Sequence, residues 1–158
     1  MLRRLLLCAF LVPLLGCGED GPEANPDSGD PTKVTYAAEL NVDLAAMTLL
    51  PSGVYIQDLG APGTGAEAVA LKRVQVHYSG WLPDGRQFDT SAGGPPITFT
   101  LGAGEVIDGW DDGIVGMKVG GKRKLVIPAS RAYGDDGVPG VIPPYSVLVF
   151  DTELVFVR

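Results

Sequence analysis

Val74-Gln-Val-His-Tyr-Ser79 shows most clearly how this 158-residue chain folds, because two kinds of side chain alternate along it. Its two valines and its tyrosine fall on one face of a strand, whereas the glutamine, histidine and serine fall on the other. Pro83-Asp-Gly85 then forms a tight turn, after which residues 86–90 can return as the next strand. The segment therefore predicts two strands joined by a turn.

Strand patterns recur in both directions from this segment, with turn-rich sequence between them. Further strands are predicted at residues 54–59, 97–101, 122–127 and 146–157. The 22 glycines and 13 prolines favour many turns and short strands. One helix is predicted, where Val106, Ile107, Trp110 and Ile114 recur near helical spacing and Asp108 suits a helix start. The pattern indicates an α+β fold, with an antiparallel β-sheet of about five strands and one short α-helix that covers a face.

The first residues are typical of an export signal. A basic start precedes an apolar run over residues 5–15, which is about half the ~20 residues that a helix needs to cross a bilayer. Residues 1–16 are therefore interpreted as a signal peptide. The run ends in Leu14-Leu-Gly-Cys17, which resembles the bacterial lipobox, so Cys17 is predicted to carry lipid after cleavage just before it. The alternative is an ordinary signal peptide with an accidental cysteine.

The cysteine content supports the lipid anchor. Cys8 and Cys17 are the only cysteines, and Cys8 lies in the segment that would be removed, so no disulfide is predicted in the exported part. Multiple acyl chains would make the attachment stable. Gly18 gives no aspartate-type signal for retention at the inner membrane, which favours the outer membrane of a bacterial cell envelope.

Three further segments follow the signal peptide. Residues 17–33 are the predicted lipidated cysteine and flexible acidic tether, because no aliphatic residue larger than alanine occurs in residues 18–33 to offset the entropy of ordering. A specific acidic recognition tail is the alternative. Residues 34–50 are an N-terminal extension, of which residues 36–50 are ambiguous and could be irregular. A single folded domain is predicted over residues 51–158, which leaves no room for a second ordinary one.

Charge and composition exclude several classes of function. The formal net charge of −7 repels phosphate backbones, so nucleic-acid binding is not expected. His77 is the only histidine, which excludes a histidine-rich metal site. Asp108, Asp111 and Asp112 lack the spacing of a calcium loop and are interpreted as a solvated helix face. No metal or cofactor is predicted, and the charged run at residues 122–124 is expected to face solvent or to protect a strand edge.

Several short motifs occur in the order found in a known family. They are His77-Tyr-Ser-Gly80, Asp84-Gly85, Phe88-Asp89, Leu101-Gly102, Glu105-Val-Ile-Asp-Gly-Trp110, Ala132-Tyr-Gly134, Gly140-Val-Ile-Pro-Pro144 and Leu148-Val-Phe-Asp151. Over residues 51–158 the chain therefore resembles the FKBP family, the tacrolimus-binding immunophilins. The resemblance implies a twisted antiparallel sheet wrapped around one short helix, with a pocket that receives a proline ring.

The resemblance also assigns roles to residues of this chain. Those that match the family's catalytic pocket are Tyr78, Phe88, Asp89, Val106, Ile107, Trp110, Tyr133 and Phe150, while Ile97 and Ile142 match substrate-pocket positions. It implies that Trp110 is the floor under the proline ring and that Tyr78 and the two phenylalanines are its walls. The Ile107 N–H and the Tyr133 hydroxyl would hold substrate carbonyls, and Asp89 would orient polar groups at the rim. Ile97 stands where many family members have an aromatic wall, which should alter the preferred residue before proline.

The function implied by the resemblance is peptidyl-prolyl cis-trans isomerisation, without a cofactor, in exported or envelope proteins whose folding it assists. The expected partners are proline-containing polypeptides, tacrolimus or rapamycin, and the membrane reached through lipid on Cys17. The protein is expected to be a monomer. Two alternatives remain open: a non-catalytic binding module or chaperone that grips proline-containing segments, and a structural lipoprotein whose pocket is vestigial.

Overall fold

The computed structural model describes residues 29–158, and these form one antiparallel sheet with a short helix against it. The seven strands are β1 (Thr48–Leu49), β2 (Tyr55–Asp58), β3 (Arg73–Trp81), β4 (Gln87–Thr90), β5 (Ile97–Thr100), β6 (Lys122–Ile127) and β7 (Leu148–Val157). The helix α1 is Asp108–Ile114, and 3-10 turns lie at Pro31–Lys33, Ala38–Leu40, Leu44–Ala46 and Ala129–Arg131. The predicted α+β class is confirmed. The strand that the sequence pattern did not indicate is β1, within the ambiguous residues 36–50.

The sheet is built around its two longest strands. Its order is β1-β2-β6-β7-β3-β4, and β5 pairs with β3 outside this path. Strands β3 and β7 are paired from Val74 opposite Val157 to Trp81 opposite Val149. The alternation predicted for β3 is present, because Val74 and Val76 are fully buried while the intervening side chains are partly exposed. The end of β3 therefore carries Tyr78 to the edge of the core.

The main core lies between the sheet and α1. Trp110 and Ile114 of the helix pack against a face of the sheet that includes Leu125 and Ile127 of β6. Gly113 permits this close packing, because a Cβ at that position would lie 2.7 Å from the Leu125 Cδ2. The helix begins at Asp108, as predicted. Acidic residues in its first turn stabilise the positive end of the helix dipole.

The prediction that residues 122–124 face solvent or protect an edge was wrong for two of the three. Strand β6 lies between β2 and β7, and Arg123 and Lys124 are only 7% and 4% exposed. The Arg123 guanidinium donates to Asp58 at 2.7 Å, and Lys124 forms an ion pair with Asp151 at 2.5 Å. Burial is tolerated because each charge has a partner on a neighbouring strand. Those partners are distant in sequence, so the run alone did not reveal them.

Arg123 also joins the sheet to the end of the helix. Its guanidinium Nη1 donates to the carbonyl oxygens of Gly113 and Val115, at 3.0 Å each. The last turn of α1 contains no basic residue of its own. A positive charge from β6 therefore satisfies carbonyls that a helix end leaves without partners and complements the negative end of the dipole.

The N-terminal extension covers the outer face of the sheet. Leu40 and Met47 form a second buried cluster with Val126, Val147 and Val149, and β1 pairs with β2. The regular parts of the extension are the 3-10 turns Ala38–Leu40 and Leu44–Ala46 and the short strand β1. This cluster gives the sheet apolar packing on both faces.

The described residues include the last part of the predicted tether, which ends at residue 33. Asp30 caps the turn at Pro31–Lys33 through the Thr32 N–H, and Pro31 is buried. The Tyr36 hydroxyl donates to the Pro31 carbonyl at 2.8 Å. The predicted signal peptide, Cys17 and the tether up to residue 28 lie outside the described residues. Among residues 29–158, no helix is long and apolar enough to cross a membrane.

Candidate active site

A cavity of about 200 Å³ opens where the helix meets the inner face of the sheet. Its lining consists of Tyr78, Phe88, Asp89, Ile97, Glu105, Val106, Ile107, Trp110, Tyr133 and Phe150. Strands β3, β4, β5 and β7 and two loops contribute nine of these side chains, and α1 contributes the tryptophan. All the residues predicted to form the pocket lie here except Ile142. The structure therefore brings together residues that are spread over more than seventy positions of the sequence.

Trp110 forms the floor of this cavity. Its side chain is 3% exposed, and its ring centroid lies 5.0 Å from that of Tyr78 and 5.3 Å from that of Phe150. Both pairs have nearly perpendicular ring planes, an arrangement that aromatic rings favour. The indole Nε1–H has no hydrogen-bond partner within residues 29–158. The floor is thus a rigid aromatic surface held by contacts on its edges.

Gly80 allows two of the aromatic walls to meet. The rings of Phe88 and Phe150 lie 5.5 Å apart with an interplanar angle of 90°. A Cβ on Gly80 would lie 2.6 Å from the Phe150 Cε1 and 2.8 Å from the Phe88 Cζ, both far inside normal contact distance. Any larger residue would push these rings into the cavity. The sequence contained Gly80 in a motif, but its role became evident only from the packing.

Tyr78 and Asp89 form the polar edge of the cavity. The Tyr78 hydroxyl donates to Asp89 Oδ2 at 2.6 Å, and the other carboxylate oxygen accepts the Thr90 N–H at 2.8 Å. Burial, and then the hydrogen bond to the Asp89 carboxylate, raise the pKa of Tyr78 to about 12. At neutral pH the phenol is therefore protonated and fixed in place by the carboxylate. This pair can orient polar groups of a ligand but offers no proton for transfer.

Tyr133 lies at the mouth of the cavity and is 41% exposed. Its loop is held by backbone hydrogen bonds, including the Gly137 N–H to the Tyr133 carbonyl at 3.0 Å and the Tyr145 N–H to the Gly134 carbonyl at 2.8 Å. Partial burial, and then the negative charge of Asp89, raise the pKa of Tyr133. Its hydroxyl is thus available at neutral pH as a hydrogen-bond donor to an incoming carbonyl.

Ile107 provides a backbone donor next to the floor. It is the residue before the helix, and its carbonyl accepts the Trp110 N–H at 2.9 Å. Its own N–H has no acceptor among the residues that the structure describes. A backbone N–H that has no acceptor within the protein can donate to the carbonyl of a ligand. The family resemblance predicts that this group holds a substrate carbonyl.

Two differences from the predicted site concern Glu105 and Ile142. Glu105 lines the cavity although it was not among the predicted site residues, and its carboxylate accepts the Thr100 N–H at 3.2 Å. Its position directly before Val106 and Ile107 was the available signal. Ile142 does not line the cavity, because it is 4% exposed within the main core and pairs with Val138 through two backbone hydrogen bonds of 2.8 Å. It supports the loop that carries Tyr133 rather than the ligand surface.

The acidic residues on and near the helix are engaged within the protein. Asp111 accepts the N–H groups of Gly102 at 2.7 Å and Gly104 at 3.2 Å, which fixes the loop that carries Val106. Arg131 bridges to Asp112 at 2.6 Å and to Asp108 at 3.1 Å. The hydrogen bond to Asp112 raises the pKa of Arg131. Within residues 29–158, no group of acidic, histidine or cysteine side chains is arranged to hold a metal ion.

The sequence and the fold of this chain match those of known proteins. The family described as FKBP-type peptidyl-prolyl cis-trans isomerase matches residues 65–155. An FK506-binding protein of Neisseria meningitidis serogroup B is 53% identical over 104 residues, which cover 65% of this chain and 94% of that protein. The peptidyl-prolyl cis-trans isomerase FPR2 of Saccharomyces cerevisiae is 60% identical over 94 residues, 58% of this chain and 70% of that one.

A solved structure is similar over a longer part of the chain. The crystal structure of a peptidyl-prolyl cis-trans isomerase from Pseudomonas syringae pv. tomato matches with a TM-score of 0.71 and 36% identity, covering 87% of this chain and 99% of that one. The chain belongs to the FKBP-type peptidyl-prolyl cis-trans isomerase family and is an enzyme of that class.

Proposed function

We propose that this protein is a lipid-anchored isomerase of the bacterial cell envelope, where it accelerates X-Pro bond rotation in exported proteins and so assists their folding. The observation that carries the proposal is the convergence of Tyr78, Phe88, Trp110 and Phe150 on one cavity, beside the unpartnered N–H of Ile107. An apolar space with few donors suits a proline ring and its flanking carbonyls. We infer that the enzyme acts as a monomer and that tacrolimus or rapamycin competes for this cavity.

The reaction needs no covalent step. Rotation about a peptide bond meets a barrier of about 18–20 kcal/mol, because planarity maintains resonance. Both isomers of an X-Pro bond are accessible, but their exchange takes on the order of tens to hundreds of seconds. An enzyme therefore has only to bind the twisted amide more tightly than the planar one. A ~10⁴-fold acceleration corresponds to about 5.5 kcal/mol of such preference.

The cavity supplies this preference in two ways. The planar amide is the more dipolar form, so transfer into an apolar space disfavours it relative to the twisted form. The Ile107 N–H and the Tyr133 hydroxyl are positioned to hold carbonyls of the substrate and to keep the bond oriented during rotation. Both phenols are protonated at neutral pH, because an unperturbed tyrosine already has a pKa of about 10 and burial raises the pKa values of Tyr78 and Tyr133 further. They therefore act as hydrogen-bond donors and not as bases.

A protease-coupled assay on a peptide with one X-Pro bond tests the catalytic part of the proposal. We expect faster isomerisation in the presence of the protein and loss of the acceleration when tacrolimus is added. A refolding assay with a proline-limited protein gives an independent reading, because prolyl isomerisation is one of the slow folding steps. Binding of the peptide without any acceleration would instead favour a non-catalytic binding module.

The membrane anchor is proposed from the sequence of the N-terminal segment. An apolar run that ends in Leu14-Leu-Gly-Cys17 supports lipid attachment, and the acidic residues that follow support a spacer between membrane and domain. Gly18 favours the outer membrane. The expected arrangement places the folded domain away from the lipid surface, with its cavity open to unfolded chains.

Replacement of Cys17 tests the anchor. In a bacterial host with two membranes, the unaltered protein should appear in the membrane fraction and incorporate labelled palmitate. Cys17→Ser should lose the label and leave the membrane fraction, whereas Cys8→Ser should behave like the unaltered protein, because Cys8 lies in the segment that is removed. Equal labelling of both variants would disprove lipid attachment at Cys17.

A further inference from the structure

A second concavity lies directly beside the cavity around Trp110. It is a groove of about 390 Å³, lined by the loop of residues 90–96 between β4 and β5 together with Tyr78 and Ile97. Tyr78 and Ile97 also line the cavity. The Tyr78 ring and the Ile97 side chain therefore border both spaces, which lie next to each other. We refer to this space as the flanking groove.

The sizes of the two spaces suggest that they work together. The cavity measures about 200 Å³, and the flanking groove about 390 Å³. Sites for small ligands commonly measure roughly 300–1,000 Å³. The cavity alone lies below this range, whereas the two together fall within it. A proline ring occupies the smaller space, so the larger one has room for side chains of neighbouring substrate residues.

The loop that forms the flanking groove is fixed before a ligand binds. The Tyr78 N–H donates to Ser91 Oγ at 2.9 Å, and the Ser91 N–H donates to the Tyr78 carbonyl at 3.0 Å. The Gly94 N–H donates to the Ser91 carbonyl at 3.0 Å. Pro95 and Pro96 have fixed φ angles. Because the groove is already ordered, a bound segment does not have to pay for ordering of the loop.

The walls of the flanking groove favour uncharged side chains. They contain no charged residue. The Thr90 hydroxyl already donates to the Tyr78 carbonyl at 3.0 Å, and Ser91 Oγ lies 3.0 Å from His77 Nδ1. The surface that remains for contact is formed by Ala92, Pro95 and their neighbours. A charged substrate side chain would lose part of its hydration here without gaining a partner.

We propose that the flanking groove is a second substrate subsite, which binds uncharged residues next to the substrate proline on one side of the prolyl bond. The preferred substrate is then an extended apolar segment of an unfolded polypeptide rather than an isolated X-Pro pair. The inference rests on the proposed function, because it takes the cavity around Trp110 as the place of the proline ring.

Peptides of different length test the subsite. The kcat/KM is measured for a minimal peptide with one central Ala-Pro bond, and for the same peptide lengthened by two leucines before or after this unit. A second pair is lengthened by two glutamates at the same positions. We expect leucines on one side to raise kcat/KM about tenfold, or ~1.4 kcal/mol, chiefly through a lower KM. Leucines on the other side and glutamates on either side should give no such gain.

Substitution of Ala92 connects this gain to the flanking groove. Ala92 is an exposed residue of the loop, and Ala92→Trp fills the groove with an indole ring. The ratio of kcat/KM for the leucine-extended and minimal peptides should then fall to about one. Ala61→Trp is the matched control, because Ala61 is also exposed but lines neither space. Its ratio should stay at the value of the unaltered protein.

The outcomes separate the subsite from the function on which it rests. Turnover of every peptide with equal kcat/KM, or a gain that persists in Ala92→Trp, would overturn the subsite and leave the isomerase activity intact. Absence of turnover with the minimal and extended peptides alike would refute the proposed function itself, and the subsite with it.

Discussion

In the proposed mechanism, the aromatic side chains of the cavity and its polar groups act on the substrate in different ways. Phe88, Trp110 and Phe150 exclude water and set the shape of the space, whereas Tyr133 and Asp89 add single hydrogen bonds at its edge. A hydrogen bond in a partly exposed position contributes a net ~0.5–1.5 kcal/mol. Loss of a wall removes both the contact with the proline ring and the apolar surroundings of the amide. The shape of the cavity should therefore matter more to catalysis than any one polar group.

Substitutions of the aromatic walls should therefore lower activity more than substitutions of the polar groups. We expect Tyr133→Phe and Asp89→Asn to lower kcat/KM by about 2- to 10-fold each, the effect of one hydrogen bond. Phe88→Ala and Trp110→Ala should lower it by more than roughly tenfold, since each removes a wall or the floor. The measurement is kcat/KM by the protease-coupled assay, with circular dichroism to confirm folding. A complete loss in Tyr133→Phe, together with full activity in Phe88→Ala, would contradict this explanation.

Gly80 is expected to be required for activity more than for folding. In Gly80→Ala the added methyl meets the rings of Phe88 and Phe150 at 2.6–2.8 Å, so both rings must move towards the cavity. Overpacking of this kind destabilises by ~1–3 kcal/mol. We expect a folded protein with a lower melting temperature and at least about tenfold lower kcat/KM. Ser79 is the neighbouring residue on the opposite face of β3, so Ser79→Ala is the control. It should retain the melting temperature and the kcat/KM of the unaltered protein.

At the level of secondary structure elements, Arg123 on β6 holds the end of α1 against the sheet. Its buried guanidinium serves Asp58 and two carbonyls of the helix end. Removal of one partner from a buried charged network typically costs ~3–5 kcal/mol. Because Asp58 is itself half exposed and can be hydrated, we expect Arg123→Met to lower the free energy of unfolding by about 3 kcal/mol, the lower end of that range.

The adjacent residue provides the control for this prediction. Lys122 forms an exposed ion pair with Glu153 at 3.5 Å, and such pairs contribute at most ~1 kcal/mol. Urea denaturation should therefore show a large loss for Arg123→Met and a small one for Lys122→Met. Arg123→Lys should fall between them, since it keeps the charge but not the fork of donors. Equal losses at positions 122 and 123 would show that the helix end does not depend on Arg123.

The elements whose side-chain pattern alternates or repeats within a few residues were predictable from the sequence. The alternation in β3, and the helical spacing around Asp108, depend only on neighbouring positions. The environment of Lys124 depends on Asp151, which lies in another strand, so local sequence suggested the wrong face. Packing of the extension over Val126 was not predictable for the same reason. In both cases, contacts between residues that are distant in the sequence decide whether the side chain is buried.

The candidate site was predictable mainly through the family motifs. Composition and spacing alone indicated no catalytic group, because the site consists of ordinary core residues such as Phe150 and Trp110. The structure adds what a motif does not contain: the unpartnered N–H of Ile107, the position of Glu105 in the lining, and the burial of Ile142 behind it. These depend on how the loops pack over the helix.

At the scale of the whole molecule, tyrosines with a raised pKa lie on both faces of the sheet. Tyr78 and Tyr133 lie at the cavity on the inner face, and Tyr36 lies in the extension on the outer face. Burial is the first cause that raises the pKa of each, and for Tyr78 the value reaches about 12. In the unfolded chain a tyrosine has a pKa of about 10. Folding therefore favours the protonated phenols.

Stability should fall at alkaline pH as a result. Below about pH 10 the phenols are protonated in both states, so they add no pH dependence. Between about pH 10 and 12 the unfolded chain releases protons that the folded protein retains, and since stability falls with pH wherever the folded state binds more protons, the free energy of unfolding decreases. The buried phenols therefore make their full contribution to stability below pH 10, and this contribution is lost as the pH rises through their pKa values in the folded protein.

Urea denaturation at several pH values measures this effect. From about pH 10 upward, the midpoint of unfolding should move to lower urea concentrations. The decrease of the midpoint per pH unit should be smaller in Tyr36→Phe, because this variant has one tyrosine with a raised pKa fewer. The variant also loses the hydrogen bond to the Pro31 carbonyl, so it should start from a lower stability at pH 8. The comparison of slopes removes that constant difference. Parallel curves for the two proteins above pH 10 would show that Tyr36 is not protected from ionisation by its position under the extension.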